Sequence, residues 1–338
     1  MSGIVLLPAV LVAVAATAAR AEPSPGTADN VTWGAAPANT NLGANRAHFT
    51  YTLPAGTAIT DAIAVANYGK APISLKVYAS DAFTTSTGAI DLLAANRRPV
   101  DAGAWITIKT PQVTLQPQES VVVPFTLTVP AGATPGDHTA GIVTSLATGG
   151  PGSVNLDRRL GSRVYLRVPG ALSPALGVGG VRVGYRGTLN PVEPGTATVT
   201  YTVTNTGNVR LRARQTLRVA GPFGLLGRAV DLGELPEILP GGSLTRTVDV
   251  PRVWPAVRLT ATVELRPVAG AEAPTVSLAP VSGTGAAWAG PWGQAIVLII
   301  VAAAVAGWLW QRRRSRRKVA TAISTAVTKA LEGASPPA

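Results

Sequence analysis

Between Glu22 and Ala287, apolar and polar residues alternate with a period of two in many short runs. Val121, Val123, Phe125, Leu127 and Val129 alternate with Ser120, Val122, Pro124, Thr126 and Thr128, and Val199, Tyr201 and Val203 alternate with Thr198, Thr200, Thr202 and Thr204. Such a period sends one face into a core and the other toward water, as half-buried antiparallel strands require. Turn residues recur between the runs, and long runs of helical period are missing from this stretch. The pattern predicts an all-β fold of two tandem Ig-like β-sandwich domains, at 30–170 and 171–268.

The two units are related by an internal repeat. Asp61-Ala-Ile-Ala-Val-Ala-Asn-Tyr-Gly69 leads into Ile73-Ser-Leu-Lys-Val77, and about 138 positions later Val199-Thr-Tyr-Thr-Val-Thr-Asn-Thr-Gly207 leads into Leu211 to Val219. The downstream halves also match. Leu115-Gln-Pro-Gln-Glu-Ser120 opens a strand ending at Val129-Pro130, Leu239-Pro-Gly-Gly-Ser243 opens one ending at Val250-Pro251, and each unit then supplies a further strand, Thr139 to Ala147 and Val257 to Arg266. The first unit carries an insertion, Asp81 to Thr110, that the second lacks; insertions on a rigid sandwich either carry recognition or merely decorate a loop. Ser162 to Val168 closes the first unit, and Pro169-Gly170 with Ser173-Pro174 reads as a hinge. Residues 269–287, rich in Ala, Gly, Pro and Ser, read as a flexible stalk.

The ends of the chain follow different rules. Ile4 to Ala19 is an apolar run closed by Ala19-Arg20-Ala21, so 1–21 reads as a secretory signal peptide, although no Lys or Arg precedes the run. Trp292 to Trp310 is nineteen residues without a charge, about 28 Å as a helix and close to the thickness of a bilayer core. A transmembrane helix is therefore placed at 288–311, with Trp288, Trp292, Trp308 and Trp310 as interfacial belts. Arg312, Arg313, Arg314, Arg316, Arg317 and Lys318 open a basic tail at 312–338. The positive-inside rule puts that tail in the cytoplasm and the N-terminal part outside the cell. Val319, Ala322, Ile323, Ala326, Val327, Ala330 and Leu331 recur at helical spacing and describe a short amphipathic helix; being marginal alone, it reads as a frayed cytoplasmic tail, the alternative being a helix on the inner leaflet beside the cationic cluster.

Charge adds a restriction. The 338 residues hold 29 Lys plus Arg against 17 acids, a net charge of +12, yet only 14% of residues are charged. Six of those twelve net charges belong to the cluster behind the membrane helix, so the basic balance does not argue for nucleic acid as a partner. The chain has 36 Gly, 28 Pro and no Cys, which fits a turn-rich β protein and excludes disulfides, thiolate metal sites and cysteine nucleophiles.

Catalytic patterns are weak. There are two histidines, His48 and His138. Asp137-His138 could pair with Ser145 or Ser162 only through the fold, and no Gly-x-Ser-x-Gly elbow, phosphate loop or metal-ligand spacing occurs. The expectation is no enzyme, no cofactor and no metal. The most distinctive chemistry is cationic. Arg210, Arg212, Arg214 and Arg218 alternate with Leu211, Ala213, Leu217 and Val219, a row of guanidiniums at about 7 Å pitch. Arg158, Arg159, Arg163 and Arg167, with Tyr165, make a second cluster. Such rows suit the phosphates or carboxylates of a linear anionic polymer through bidentate, charge-assisted bonds, or they form a solvated outer face.

Trp33-Gly34-x-x-Pro37, Phe49-Thr-Tyr51 with Pro54-Ala-Gly56, Val65-x-Asn67-Tyr68, Val77-Tyr-Ala-Ser-Asp-Ala-Phe83, Gly141-Ile142 and Arg158-Arg-x-Gly161-Ser-Arg163-Val-Tyr-Leu166 together resemble the peptidoglycan-binding domain of WxL-interacting proteins, over residues 30 to 170. The resemblance implies an exported Ig-like domain on the cell wall, a second Ig-like domain for partners and a C-terminal anchor in a Gram-positive envelope. The second unit is more similar to a generic bacterial Ig-like module. The combined expectation is a single-pass cell-surface protein that binds peptidoglycan or an attached anionic wall polymer without catalysis. The alternative is a protein-protein scaffold or accessory subunit of an envelope complex with another surface protein as partner, and a wall hydrolase is the poorer third.

Overall fold

The computed structural model describes residues 32–148, 156–268 and 278–333. The signal segment 1–21 lies outside the described residues, as does the first half of the stalk expected at 269–287. Ten strands come first: β1 (Trp33–Pro37), β2 (Phe49–Thr52), β3 (Ala58–Asn67), β4 (Ile73–Thr84), β5 (Ile90–Leu92), β6 (Ile106–Ile108), β7 (Gln112–Leu115), β8 (Ser120–Thr128), β9 (Gly136–Thr148) and β10 (Leu156–Val168). Seven follow: β11 (Leu176–Arg186), β12 (Gly195–Asn205), β13 (Arg212–Ala220), β14 (Arg228–Glu234), β15 (Ser243–Val253), β16 (Val257–Val268) and β17 (Val281–Ala289). A single helix, α1 (Trp292–Gly333), ends the described chain.

The strands form two Ig-like sandwiches. In the first, a sheet ordered β1-β3-β8-β6 faces one ordered β2-β10-β9-β4-β5, with β7 also on β4; in the second, β11-β12-β15 faces β14-β13-β16-β17. Pairing is antiparallel except for β2 on β10. The period-two pattern survives intact: β12 alternates between buried and half-buried positions along its whole length, and β13 between exposed and buried as far as Val219. Each sandwich closes over its own apolar core, one around Phe49, Leu75, Phe125, Leu127, Ile142 and Leu166, the other around Tyr201, Leu217, Ile238, Leu244 and Leu265. Each of these side chains contributes about 1.5–3 kcal/mol relative to exposure.

The repeat has a structural meaning. Asn67 and Asn205, both fully buried, occupy the same place in the two units. Asn67 Nδ2 donates to the carbonyls of Ala71, Leu115 and Gln116, and its Oδ1 accepts from the Gly69 N–H. Asn205 Nδ2 donates to the carbonyls of Val209 and Ile238, and its Oδ1 accepts from the Gly207 N–H. One amide thus satisfies buried backbone groups from two separate connections, a duty few side chains can perform in so small a volume.

Two expectations at the C-terminal end need correction. Val281–Ala289, assigned to the stalk and the start of the membrane helix, is strand β17 and pairs with β16 from Val257↔Ala289 to Leu265↔Val281. Its small residues are demanded by packing: a Cβ on Gly285 would lie 2.3 Å from the Val181 carbonyl oxygen, and one on Gly283 would lie 2.6 Å from the Val178 side chain. Trp288 therefore stands on a strand, and only Gly290-Pro291 separates the second sandwich from α1. Beyond Ser315, α1 runs unbroken to Gly333, so the segment read with helical spacing is helical, but as a continuation of α1 rather than as a separate short helix or a frayed tail. Trp292–Ser315 is 24 residues with mean hydropathy 2.0 and is almost wholly exposed, long and apolar enough to cross a membrane and unlike the core helix of a soluble domain.

Candidate functional site in the cleft between the sandwiches

Asp137, at the start of β9, joins the two sandwiches. Its carboxylate is buried and accepts a bidentate pair from Arg167, Nε to Oδ1 at 2.7 Å and Nη2 to Oδ2 at 2.9 Å. The Arg210 backbone N–H from the second sandwich donates to Oδ2 at 2.9 Å, and the Arg210 guanidinium stands 3.5 Å away. Burial pushes the Asp137 carboxyl up, but the Arg167 bond and the N–H and charge of Arg210 outweigh it and hold the group below the usual carboxylate range. Asn208 completes the joint, its Nδ2 donating to the carbonyls of Pro135 and Ala171 and its Oδ1 accepting from the Ser173 N–H. The Asp81–Thr110 insertion adds two clasps, one from the β4–β5 turn and one from the end of β4: the Thr245 N–H donates to the Ser86 carbonyl and the Leu239 N–H to Thr84 Oγ1.

Beside this joint opens a cleft of about 1000 Å³. The first sandwich supplies His48, Gly88 to Ile90, Arg163, Tyr165 and Arg167; the second supplies Arg210, Arg212, Glu234 to Glu237 and Arg246. Tyr165 is its centre. The Arg210 guanidinium lies 4.0 Å from the Tyr165 ring centroid, and His48 packs edge-on at 5.0 Å. Tyr165 Oη donates to Glu237 at 3.3 Å and accepts from Arg163 at 3.3 Å. Glu237 also faces Arg210 at 3.5 Å, and Glu234 faces Arg212 at 3.5 Å. Arg163 and Arg246 have no carboxylate within ion-pair distance among the described residues. Five cations against three acids leave the cleft positive.

The two arginine clusters expected from sequence are rearranged. Arg212, Arg214 and Arg218 do stand on the exposed face of β13, but Arg210 lies before the strand and turns into the joint, so the row is three long. Arg214 is registered against Arg266 and Glu234, and Arg218 reaches the Gly224 carbonyl at 3.5 Å. The second cluster divides. Arg158 stacks over Trp33 at 5.4 Å, Arg159 reaches toward the Leu92 and Leu93 carbonyls, and Arg167 is engaged by Asp137. Five of the nine residues, Arg163, Tyr165, Arg167, Arg210 and Arg212, meet in one cleft although they come from different sandwiches. Sequence reasoning missed Arg246, Glu234, Glu237 and His48, since nothing local marks them. His138 bonds Asp101 at 2.7 Å and the Thr134 carbonyl at 2.9 Å. Ser145 donates to Asp157 and Ser162 to the Ala35 carbonyl, so neither serine is directed at His138. Along α1, Arg312 stacks on Trp308 at 5.4 Å and Arg314 on Trp310 at 5.3 Å, with Arg313 exposed between them.

No family model and no curated protein matches the chain. Among solved structures it is similar to the class 5 fimbriae chaperone CfaA, with 10% identity over 74% of this chain and 98% of that one and a TM-score of 0.35. It is similar also to the CsuC–CsuE chaperone and tip adhesion subunit complex of Acinetobacter baumannii, at 12% identity over 64% and 89% with a TM-score of 0.33. A third likeness is to the E. coli chaperone DraB, at 12% identity over 70% and 92% with a TM-score of 0.31.

Proposed function

We propose that this chain is a membrane-tethered, non-catalytic binding protein of the cell envelope whose cleft holds an anionic group of peptidoglycan or of a polymer attached to it. The observation that supports this reading is the cleft itself: an open, net-positive groove with an aromatic floor at Tyr165, in which Arg163 and Arg246 have no carboxylate within ion-pair distance among the described residues. Guanidiniums in such a setting form charge-assisted, bidentate bonds with phosphate or carboxylate. The resemblance of residues 30 to 170 to the peptidoglycan-binding domain of WxL-interacting proteins points the same way. The basic cluster behind the apolar stretch of α1 supports, by the positive-inside rule, a reading with the sandwiches outside the cell and the tail inside.

The test is co-sedimentation of the full chain, in detergent, with purified wall before and after removal of anionic polymer. Arg163→Ser combined with Arg246→Ser removes two charge-assisted contacts of about 1.5–3 kcal/mol each, a loss of roughly a hundredfold or more in retention at tenfold per 1.4 kcal/mol. Unchanged retention by the double variant would end the proposal. A second reading, a protein partner, is favoured by the outer edge of β15. Thr245 already gives its N–H to Ser86, and in an antiparallel strand the backbone groups of Thr247 and Asp249 face the same way. An open edge of that kind accepts an added strand.

A further inference from the structure

The end of the second sandwich away from the cleft carries a second feature. Strand register puts four connections at this end, because Arg186 pairs with Thr196, Gly195 with Val253, Ala220 with Thr260, and Val257 with Ala289. The connections β11–β12, β13–β14, β15–β16 and β17–α1 therefore meet there, and the membrane helix departs from the same place. Gln294 in the first turn of α1 donates to the Pro191 carbonyl of the β11–β12 connection at 2.8 Å, so the helix root and this connection touch.

These connections are unusually apolar and outward-facing. Leu189 is 77% exposed, Val192 75% and Phe223 100%, and Leu225, Leu226 and Trp254 are also exposed. Trp288 and Trp292 flank them at the helix root. A soluble surface rarely gathers large apolar side chains in this way, and such a patch marks an interaction surface. The backbone is committed to it. Of six non-glycine residues with positive φ among the described ones, Phe223, Leu226, Arg252 and Val257 lie here, at 56°, 55°, 59° and 62°. That conformation disfavours L side chains, and a β-branched Val most of all, and it persists where the surroundings hold it for use. Arg186, Arg228, Arg252 and Arg258 ring the end, one per strand, while Glu193 is the sole acid within the four connections.

We propose that this end of the second sandwich is a membrane-docking face. The β11–β12, β13–β14 and β15–β16 connections enter the headgroup and acyl boundary of the bilayer that α1 crosses, and the ring of arginines meets anionic lipid headgroups. The occupant follows from continuity: a helix long and apolar enough to span begins three residues after β17, so no spacer holds these connections away from the surface. Aromatic and aliphatic side chains with a cationic rim suit that boundary. The ectodomain then stands on the membrane at a fixed height, with the first sandwich and the cleft held outward.

The proposal rests on α1 as a transmembrane helix, and the experiment separates the two. The chain lacks cysteine, so single cysteines can be placed at Phe223→Cys, at Gly290→Cys beside the helix root and at Gln118→Cys on the first sandwich. Each carries an environment-sensitive fluorophore in the full chain reconstituted into vesicles of phosphatidylcholine and phosphatidylglycerol. Because interfacial side chains sit about 5–10 Å into the boundary, lipids brominated near the headgroup are expected to remove roughly half of the emission at positions 223 and 290 and little at 118. Quenching at 290 without quenching at 223, where aqueous iodide acts instead, overturns the docking face and spares the anchor. Quenching at neither overturns both. Phe223 is fully exposed, so this variant does not disturb the core.

Discussion

The two sandwiches share a strand plan and an asparagine clamp but solve their polar interiors differently. In the first, the fully buried Asp61 carboxylate receives both Nη atoms of Arg46, the hydroxyls of Tyr51 and Thr40 and the Ala62 N–H. In the second, the buried polar pair is neutral, with Tyr201 Oη donating to Gln215 Oε1 and Gln215 Nε2 reaching the Leu232 carbonyl. Both histidines of the chain also belong to the first. The first unit is thus built from ionised groups and the second, next to α1, from neutral ones. Burial alone raises the Asp61 carboxyl, but its bonds from Arg46 and Tyr51 lower it below the usual value. Ionic interiors tie stability to pH, whereas neutral ones do not.

The sharpest way to break the comparison is to separate the units. Asp137→Ala leaves Arg167 and Arg210 without their shared carboxylate, and removal of one partner from a buried pair costs about 3–5 kcal/mol. Thermal unfolding of the full chain in detergent is expected to divide into two transitions, the first sandwich falling most. A single unshifted transition would show that the joint does not couple the units. Next in size is Gly285→Val, which drives a side chain into the Val181 carbonyl and costs about 1–3 kcal/mol as overpacking does. The loss should appear in the second sandwich alone; equal loss in both would contradict the strand assignment of β17.

The smallest effect is the response to pH. Burial lowers the His138 pKa, yet the bond to Asp101 and the Thr134 carbonyl raise it above 6.5 overall. A raised histidine stabilises fully below its unfolded value and loses that contribution as pH climbs through the folded one. The first transition should therefore weaken as pH rises from about 6.5 upward, and His138→Gln should remove the dependence. At the acid end, Asp61 contributes above 3.8 and loses its contribution as pH falls from there through its lowered folded value. The second transition is expected to stay level through the neutral window, and a matching slope there would refute the contrast.

Much of this fold was legible without coordinates. Alternation of apolar and polar residues is a property of one strand, so β8 and β12 could be read locally, and the repeated Asn-x-Gly marked Asn67 and Asn205 before their hydrogen bonds were known. The helix long and apolar enough to cross a membrane was equally local, being a matter of length and transfer energy. Where local composition misled, packing was the cause. Val281–Ala289 has the small residues of a linker, but they are small because β11 lies against them. The repeat itself offered a corrective, since the first unit closes with β10 after β9 and the second needs a strand after β16.

The sequence determined periodicity, repeat and the long apolar helix, because each depends on interactions within a few residues or with a bulk solvent. Only the tertiary structure decided that Arg210 leaves its row for Asp137, that Arg163 and Arg246 face one groove from positions 83 apart, and that four apolar connections gather where α1 begins. Those are meetings between residues far apart in the chain. The geometry that produces them is set by how two sheets twist, register and stack, which no stretch of residues encodes alone.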